Sequence, residues 1–398
     1  MTDPAPRSIA FVHGGLGFGG TERVVVEQVR ACEGFGCPVD VWTLDAKAPA
    51  DLVPQLRAAN RHLRDVAVVE SARSLTGRLW RRAYDVVVTS TAPRAYRALL
   101  RLRWVPFAHR PAVVETVHER SAWSLSDPEG RRRRIVDLWL LTYDVRAELH
   151  AALAIPEERT AVARPLFATN LLEPTPADRE AAARLRASRG IPREAVVVGY
   201  VGRWSANKGL PELLAMVADL VGAGADVHLA LCGRYWPPDA AFETVLETAC
   251  REAIARVPPL AGRLHRLGAV PSSAAVLPAF DLVALPSRRE VLLPLMLVEA
   301  MSVGVPVVTT DVGGIGTCLT DGVDAAVVAK QPDDESPLSS EVRAALRARV
   351  EALVRDPVER ARLGAAGRAR VRALVTGNDF AGDTRRAIAR ALELRAGG

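Results

Sequence analysis

Short runs of β-branched and other apolar residues alternate along the chain with amphipathic stretches of helical length. This alternation is typical of βα units built around parallel sheets. In the first half the strand candidates are Ile9–His13, Val39–Leu44, Val66–Val69, Asp85–Ser90, Val113–His118 and Leu138–Thr142. The pattern then starts again, at Val196–Gly202, Val227–Cys232, Leu264–Val270, Asp281–Ser287, Val305–Thr310 and Ala325–Ala329. Several runs are apolar on both faces, as buried parallel strands are, so the pattern predicts an α/β chain with two doubly wound domains.

The segments between and after these repeats suggest the domain limits. Arg164–Asp178 has little periodicity and contains three prolines, so we expect the connection there. The domains are expected at residues 1–170 and 171–375, and residues 376–398 are expected to form a helix that could pack back on the first domain. We interpret Gln331–Ser340 as a solvated loop. The chain after Ser340 is predicted to be helical, with Val371–Val375 as a weak strand candidate.

Composition narrows the class of protein. The 398 residues are 49% hydrophobic and carry 52 Lys and Arg against 46 Asp and Glu, which excludes a disordered chain. No apolar stretch approaches the ~18–20 residues that span a bilayer. The first residues lack the apolar segment of a secretion signal, so we expect a cytoplasmic protein. The five cysteines lack metal-ligand spacing, which favours small buried residues over disulfides or zinc ligands.

A glycine-rich segment follows the first strand candidate and precedes a predicted helix. Glycines allow the backbone to approach a ligand closely, and the N–H groups at the start of a helix attract anions. Gly15, Gly17 and Gly20 have the G-x-G-x-x-G spacing of dinucleotide folds, and Asp45 follows the second strand candidate, where a ribose-binding acid would lie. An NAD(P)-dependent or flavin oxidoreductase is therefore one hypothesis. A tight turn that serves only strand–helix packing is the alternative.

Two cations occupy the corresponding segment of the second half. Arg203 and Lys208 lie in Gly202–Gly209, between a strand candidate that ends near Val201 and a helix predicted from about Pro211. This position is the carboxyl edge of a parallel sheet. Charge-assisted hydrogen bonds from the two side chains to a diphosphate would contribute roughly 1.5–3 kcal/mol each. An exposed basic loop without a ligand is the simpler alternative.

Two carboxylates follow another strand candidate of the second half. Glu290 comes just after Asp281–Ser287, and Glu299 falls in the opening turns of the next predicted helix. Both are expected at the crevice where the strands end, and a carboxylate there accepts hydrogen bonds from vicinal sugar hydroxyls. Glu299 could also be an ordinary acid on the surface of its helix. Its apolar neighbours, such as Val298 and Ala300, disfavour that interpretation.

Taken together, these motifs resemble those of the family 4 glycosyltransferases. Members of this family are retaining, nucleotide-sugar-dependent enzymes with the GT-B architecture of two Rossmann-like domains that face a central cleft. The matching segments are Gly19–Arg23, His118, Gly202–Arg203, Lys208–Gly209, Pro286–Ser287, Glu299–Met301, Gly304–Val308 and Gly313–Gly314. The resemblance spans about residues 10–330. It implies a hexosyltransferase that moves a sugar from a nucleoside diphosphate to a hydroxyl acceptor on a glycolipid, a polysaccharide or a secondary metabolite.

The resemblance also implies a role for each matching residue toward the donor. Arg203 and Lys208 would bind the diphosphate, and Glu299 would hold the ribose. Glu290 would contact the transferred sugar. The nucleotide would be bordered further by Gly202, Ala269, Val270 and Leu295, with the base in the loop at Ala269 and Val270.

For the other substrate, the resemblance points to the first half of the chain. His118 would lie beside the anomeric end of the transferred sugar. The loop that borders the acceptor and the phosphate would be formed by Gly19, Gly20, Thr21 and Glu22. Family members retain the anomeric configuration by same-face attack, in which the leaving phosphate helps to deprotonate the acceptor, so no protein nucleophile is expected.

The sequence departs from the family pattern at two places. The family usually has seven residues between its two glutamates, whereas eight separate Glu290 and Glu299. Alignment on Pro294 places one extra residue in the sugar-contacting loop. The usual glutamate after Gly313–Gly314 is also absent. A sugar-nucleotide-binding relative without transferase activity is therefore a further alternative.

No Asp-x-Asp pair occurs in the chain, so nothing predicts the carboxylate-held metal that other transferase folds use at the diphosphate. We expect no metal and no other cofactor besides the donor substrate. On this hypothesis the cations Arg203 and Lys208 neutralise the diphosphate.

Basic residues are concentrated in one part of the first half. From Arg57 to Arg146 there are 18 arginines against 9 acids, with Trp80 and Trp104 among them. Such a surface suits peripheral contact with an anionic membrane or attraction of an acidic acceptor, and it can also be a solvated surface without a partner. Nucleic-acid binding is not expected, because no nucleic-acid motif accompanies the charge.

Overall fold

The computed structural model divides the chain into two compact units. One contains Met1–Pro165 and Asn378–Gly398, and the other contains Leu166–Gly377. The residues that the structure describes are 4–14, 20–44, 52–90, 92–105, 109–118, 126–127, 130–143, 145–235, 240–270, 272–290, 293–330 and 336–397. Within these residues, no helix has the combined length and apolar character needed to cross a bilayer.

The first unit is built on a parallel sheet of seven strands. These are β1 Ile9–His13, β2 Val39–Thr43, β3 Leu63–Val68, β4 Val86–Ser90, β5 Ala112–Val117, β6 Leu138–Leu141 and β7 Thr160–Val162, in the order β3-β2-β1-β4-β5-β6-β7. The central strands are buried along their whole length, which explains their continuous apolar runs. The order reverses at β1, so the topology is that of a doubly wound fold.

Seven helices flank this sheet in the described residues. They are α1 Gly20–Ala31, α2 Leu52–Ala59, α3 Ala72–Arg82, α4 Pro93–Leu102, α5 Arg131–Ile135, α6 Arg146–Leu153 and the C-terminal helix Phe380–Gly397. The C-terminal helix packs on α1, and the Arg385 guanidinium donates a hydrogen bond to the carbonyl of Ala31. The last residues of the chain therefore complete the unit that its first residues begin.

The second unit repeats the plan with six parallel strands. These are β8 Val196–Trp204, β9 Val227–Tyr235, β10 Leu264–Gly268, β11 Leu282–Leu285, β12 Val307–Asp311 and β13 Ala326–Ala329, in the order β10-β9-β8-β11-β12-β13. The helices are α7 Pro176–Ser188, α8 Leu210–Gly222, α9 Ala240–Arg256, α10 Leu295–Ser302, α11 Ile315–Cys318, α12 Ser340–Arg355 and α13 Pro357–Thr376. Two Rossmann-like α/β domains are thus confirmed.

The structure contradicts two local predictions and adds one strand. Val371–Val375 lies near the end of α13, where residues four apart form a buried helical stripe, namely Leu363, Gly367, Val371 and Val375. The short edge strand β7 was not predicted. Strand β8 continues to Trp204, so Arg203 lies on the strand and not in the loop after it.

One member of the arginine run at 131–134 is internal. Arg132 is 4% exposed and Glu115 on β5 is 1% exposed. The guanidinium donates two hydrogen bonds to the carboxylate, Nη2 to Oε1 at 2.7 Å and Nε to Oε2 at 3.1 Å. Arg132 is therefore part of the structure of the first unit and does not contribute to the basic surface that the run suggested.

Two buried histidines lie at the amino end of the second sheet. The Nδ1 of His228 is 2.9 Å from the Nε2 of His265, and the two rings are stacked within 7° of parallel. Burial lowers the pKa of both, that of His265 to about 4, and the neighbouring charge of His228 adds to the effect on His265. Both imidazoles are therefore neutral at pH 7.

We expect this pair to make the second unit acid-sensitive. An unfolded histidine has a pKa near 6.5, so the unfolded chain binds more protons as the pH falls from 6.5 to 4. The free energy of unfolding should then fall by about 2 kcal/mol more in the wild type than in a His265→Gln variant. Urea unfolding at several pH values measures this difference. Identical pH profiles of the two proteins would contradict the expectation.

Candidate active site

The carboxyl end of β8 carries the first predicted donor residues. Gly202 has a positive φ of 151°, Arg203 follows it on the strand, and the hydroxyl of buried Tyr200 donates to the Arg203 carbonyl at 2.5 Å. Burial, together with nearby Glu290, raises the pKa of Tyr200, so this hydroxyl keeps its proton as a donor. The backbone that presents Arg203 is therefore anchored from the core.

Gly209 allows the loop after β8 to approach the loop after β11. It has a φ of 66°, directly before α8, and a Cβ at this position would lie 1.9 Å from the carbonyl oxygen of Pro286. The Arg288 N–H donates to the Asn207 carbonyl at 2.7 Å, and the Asn207 side-chain amide donates to the Arg289 carbonyl at 3.2 Å. The two loops that were predicted to hold diphosphate and sugar thus form one connected edge.

Two predicted catalytic side chains meet on this edge. The Lys208 ammonium lies 2.5 Å from Glu290 Oε1, with only 14% and 10% of the two side chains exposed. The Ser287 hydroxyl donates to the same carboxylate oxygen. In contrast, the Arg203 guanidinium makes no ion pair with any described residue. An anion at this edge would therefore meet two cations. Lys208 is held in place by the Glu290 carboxylate, and Arg203 is not neutralised by a described residue.

A second ion pair lies behind this edge and was not predicted. Arg288 donates to the Oε1 of Glu212 from Nη2 at 2.7 Å and from Nε at 3.1 Å. Glu212 is 7% exposed and lies in the first turn of α8. The pair ties the loop after β11 to the helix that follows Lys208, so it supports the position of both Lys208 and Glu290.

Glu299 lies on α10, the helix that begins at Leu295. Its Oε1 accepts a hydrogen bond from the Asn170 amide at 2.9 Å, and its Oε2 accepts one from the Ser273 hydroxyl at 2.7 Å. Half-buried among apolar helix neighbours, the carboxylate is held in one orientation. This arrangement disfavours an ordinary surface acid.

The predicted base loop leads directly to this carboxylate. Strand β10 ends at Gly268, which has a φ of 73°, so Ala269 and Val270 lie in the loop after the strand. The thiol of Cys232, on neighbouring β9, donates to the Gly268 carbonyl at 3.3 Å. Ser273 follows three residues after Val270, which places the base loop and Glu299 next to each other.

Asn170 and Ser273 were not among the predicted site residues. Asn170 is fully buried and lies in the segment that was interpreted as the connection between domains. Ser273 lies in a short turn after the base loop. Neither residue belongs to a recognisable spacing, and only the tertiary structure brings them to Glu299.

In the first unit, predicted residues gather at the carboxyl edge of the sheet. Gly20, Thr21 and Glu22 form the first turn of α1. His118 directly follows β5, and His13 ends β1, with 6.5 Å between the centres of the two rings. The other residues predicted for this region lie outside the described residues. They are Gly15, Gly17 and Gly19 of the glycine-rich segment and Asp45, the predicted ribose-binding acid of the oxidoreductase alternative.

His118 is buried at the carboxyl edge of the first sheet. It is 9% exposed, and both ring nitrogens lack a hydrogen-bond partner among the described residues. Burial, with a smaller contribution from His13, lowers the pKa of His118 to about 3, so the ring is neutral at pH 7. The hydroxyl of Ser90, at the end of neighbouring β4, is also buried without a described partner. Buried polar atoms of this kind usually serve a ligand or water.

The architecture of two Rossmann-like domains defines a GT-B protein, and solved structures agree. Anabaena HepE in complex with UDP-glucose superposes with a TM-score of 0.72 at 20% identity, covering 96% of this chain and 98% of that one. Sucrose-phosphate synthase from Thermosynechococcus elongatus gives a TM-score of 0.70 at 20% identity, covering 98% and 100%. At these identities the similarity establishes the fold alone.

Family models identify the same class. Residues 18–162 match the model described as Glycosyltransferase Family 4, and residues 195–348 match the model described as Glycosyl transferases group 1. Together the two matches cover about three quarters of the chain. The chain therefore belongs to the family 4 glycosyltransferases, as its motifs predicted.

Individual relatives match only part of the chain. The D-inositol 3-phosphate glycosyltransferase of Corynebacterium urealyticum is 29% identical over 243 residues, which are 58% of this chain and 55% of the relative. The 2-deoxystreptamine glucosyltransferase of Streptomyces kanamyceticus is 29% identical over 259 residues, 61% and 56% of the two chains. The chain thus spans just over half the length of these relatives.

Proposed function

We propose that the protein is a retaining glycosyltransferase that moves a hexosyl group from a nucleoside diphosphate to a hydroxyl acceptor. The observation that carries this proposal is the edge of the second sheet, where Arg203 and Lys208 lie at the strand ends and Glu299 is fixed nearby. A diphosphate needs cations, and a ribose needs an acceptor for its hydroxyls. The structures of HepE with UDP and with UDP-glucose make UDP the first nucleoside diphosphate to test.

In the proposed reaction the acceptor hydroxyl attacks the anomeric carbon on the face from which the diphosphate leaves. The bond between the anomeric carbon and the phosphate oxygen breaks, and its electron pair stays on the diphosphate. The acceptor proton passes to a leaving phosphate oxygen as the new glycosidic bond forms. Arg203 and Lys208 stabilise the charge that develops on the diphosphate. The proposal needs no protein nucleophile and no metal.

Glu290 and His118 would serve the transferred sugar. Glu290 holds the Lys208 ammonium through one carboxylate oxygen, which leaves its other oxygen to accept a sugar hydroxyl. His118 is neutral at pH 7 and would hydrogen-bond a sugar hydroxyl without adding charge. Gly20–Glu22, at the start of α1, would border the acceptor and phosphate.

The acceptor is proposed only as a class, a hydroxyl on a glycolipid, a polysaccharide end or a secondary metabolite. The names of the relatives make inositol 3-phosphate and 2-deoxystreptamine the first small acceptors to test.

Thermal denaturation with UDP, GDP, ADP, dTDP or NAD(P) tests the proposal. A ligand at about 100 times its dissociation constant stabilises the folded state by about 2.7 kcal/mol. We expect one nucleoside diphosphate to raise the melting temperature. A shift with NAD(P) alone would replace the proposal with the oxidoreductase alternative. Donor hydrolysis or transfer to any acceptor would exclude an inactive nucleotide-binding relative. NMR of the product anomer then shows whether the enzyme retains the anomeric configuration.

Removing the Glu299 carboxylate should mainly weaken donor binding. Contacts to ribose are made in the ground state and the transition state alike, so they affect binding more than the chemical step. We expect Glu299→Ala to raise the dissociation constant of the nucleoside diphosphate by about 10–100-fold, measured by calorimetry. Glu299→Gln keeps an oxygen that can accept the Asn170 hydrogen bond, so it controls for misfolding. Glu252 is an exposed residue of α9, and Glu252→Ala is the neutral control. Unchanged affinity with lost turnover would contradict the ribose role.

A further inference from the structure

The first unit carries an exposed surface that the proposed chemistry does not use. Helices α3 and α4 pack side by side, with leucines such as Leu75 and Leu99 turned inward. Between residues 71 and 112 the chain contains nine arginines and a single acid, Asp85, which pairs with Arg7. We define the basic aromatic surface by its exposed residues, which are Arg73, Trp80, Arg81, Arg97, Arg101, Arg103, Trp104 and Arg110.

The arginines of this surface lack ion pairs with the rest of the described protein, although Arg103 is attracted to the carboxylate of Asp137 at longer range. Arg78 and Arg82, which lie beside it, form ion pairs with Asp65 and Asp40. Among the described residues, no carboxylate pairs with any of the six arginines that define the surface. The surface therefore presents several uncompensated positive charges on two adjacent helices.

Two tryptophans lie among these charges with their rings in solvent. Trp104, just after α4, is 88% exposed, and Trp80 on α3 is 52% exposed. A small cleft is lined by Leu99, Leu102 and Ile135 together with Arg103, the residue that precedes Trp104. Exposed indoles are unusual on a protein surface that contacts only water, whereas tryptophan is enriched where proteins meet the headgroup layer of a membrane.

We infer that the basic aromatic surface docks on an anionic membrane. Arginines near an anionic lipid surface gain electrostatic attraction, and the indole rings of Trp80 and Trp104 supply a second, apolar contact. A soluble acidic ligand would use the charge but would leave both tryptophans exposed to water. The combination therefore favours lipid headgroups as the partner. This inference concerns a surface outside the proposed donor site and does not depend on sugar transfer.

Vesicle flotation of the full chain tests the inference without donor or acceptor. Vesicles of phosphatidylcholine are compared with vesicles in which about one third of the lipid is phosphatidylglycerol. We expect binding only to the anionic vesicles, with a strong decrease as salt rises. Each arginine contributes about fivefold to partitioning, so Arg97→Gln/Arg101→Gln should weaken binding about 25-fold.

The matched control removes the same charge elsewhere. Arg193 and Arg343 are exposed residues of the second unit, so Arg193→Gln/Arg343→Gln should change binding less than about twofold. Trp104→Ser should weaken binding on the order of tenfold without a change in folding, because its side chain is almost fully exposed. Absence of vesicle binding, equal losses in the two arginine variants, or full binding by Trp104→Ser would each overturn the inference.

Discussion

Replacing Lys208 by alanine is expected to reduce turnover by about 10²–10³-fold, equivalent to about 2–4 kcal/mol of transition-state stabilisation. The diphosphate gains negative charge as the sugar leaves, and Lys208 is one of two cations at the end of β8. Its ammonium is already oriented by Glu290 at 2.5 Å, so little reorganisation is needed when the donor binds.

Steady-state rates with the donor that binds test this expectation. The Lys208→Ala variant removes both the charge and the aliphatic part of the side chain, so Lys208→Met, which removes the charge and keeps most of the aliphatic length, is measured beside it. Arg193→Ala serves as a control, because Arg193 is exposed and lies before β8, outside the site. Turnover close to normal in both lysine variants would refute the diphosphate role of Lys208.

Replacing Arg132 by methionine is expected to destabilise the first unit by about 3–5 kcal/mol. The variant leaves the Glu115 carboxylate, 1% exposed, without the guanidinium that now donates two hydrogen bonds to it. An uncompensated charge in the protein interior is strongly unfavourable. Urea unfolding, followed through the transition of the first unit, measures the loss.

Two further variants identify the cause of that loss. Arg132→Met/Glu115→Leu removes both charges and should recover much of the stability, because replacing a buried ion pair by apolar groups is often nearly neutral. Arg134→Met changes an exposed residue of the same run that forms no ion pair with any described residue, and it should alter stability by less than about 0.5 kcal/mol. Equal destabilisation by the Arg132 and Arg134 variants would show that the buried pair is not the cause.

The fold was predictable where a local pattern is strong. The limits of β1 were predicted correctly from four consecutive apolar residues, Ile9–Val12, followed by His13 and the glycine-rich segment. The short strand β7 has only three residues and lies at the edge of its sheet, so its pattern was too weak to detect. In α13 an apolar run was mistaken for a strand, because five residues do not separate a period of two from a period near four.

The sequence by itself determined two βα repeats, family membership, and the residue types at the candidate site, because periodicity and motif spacing are local properties of a chain. The ion pair of Lys208 with Glu290 joins residues 82 positions apart, and the hydrogen bond of Asn170 with Glu299 joins residues 129 positions apart. Arg132 is buried although its neighbours in the run 131–134 are also arginines, and this too cannot be read from the local sequence. Only the tertiary structure decided these features, because parallel strands bring distant loops to one edge and the packing of whole elements sets which charges leave water.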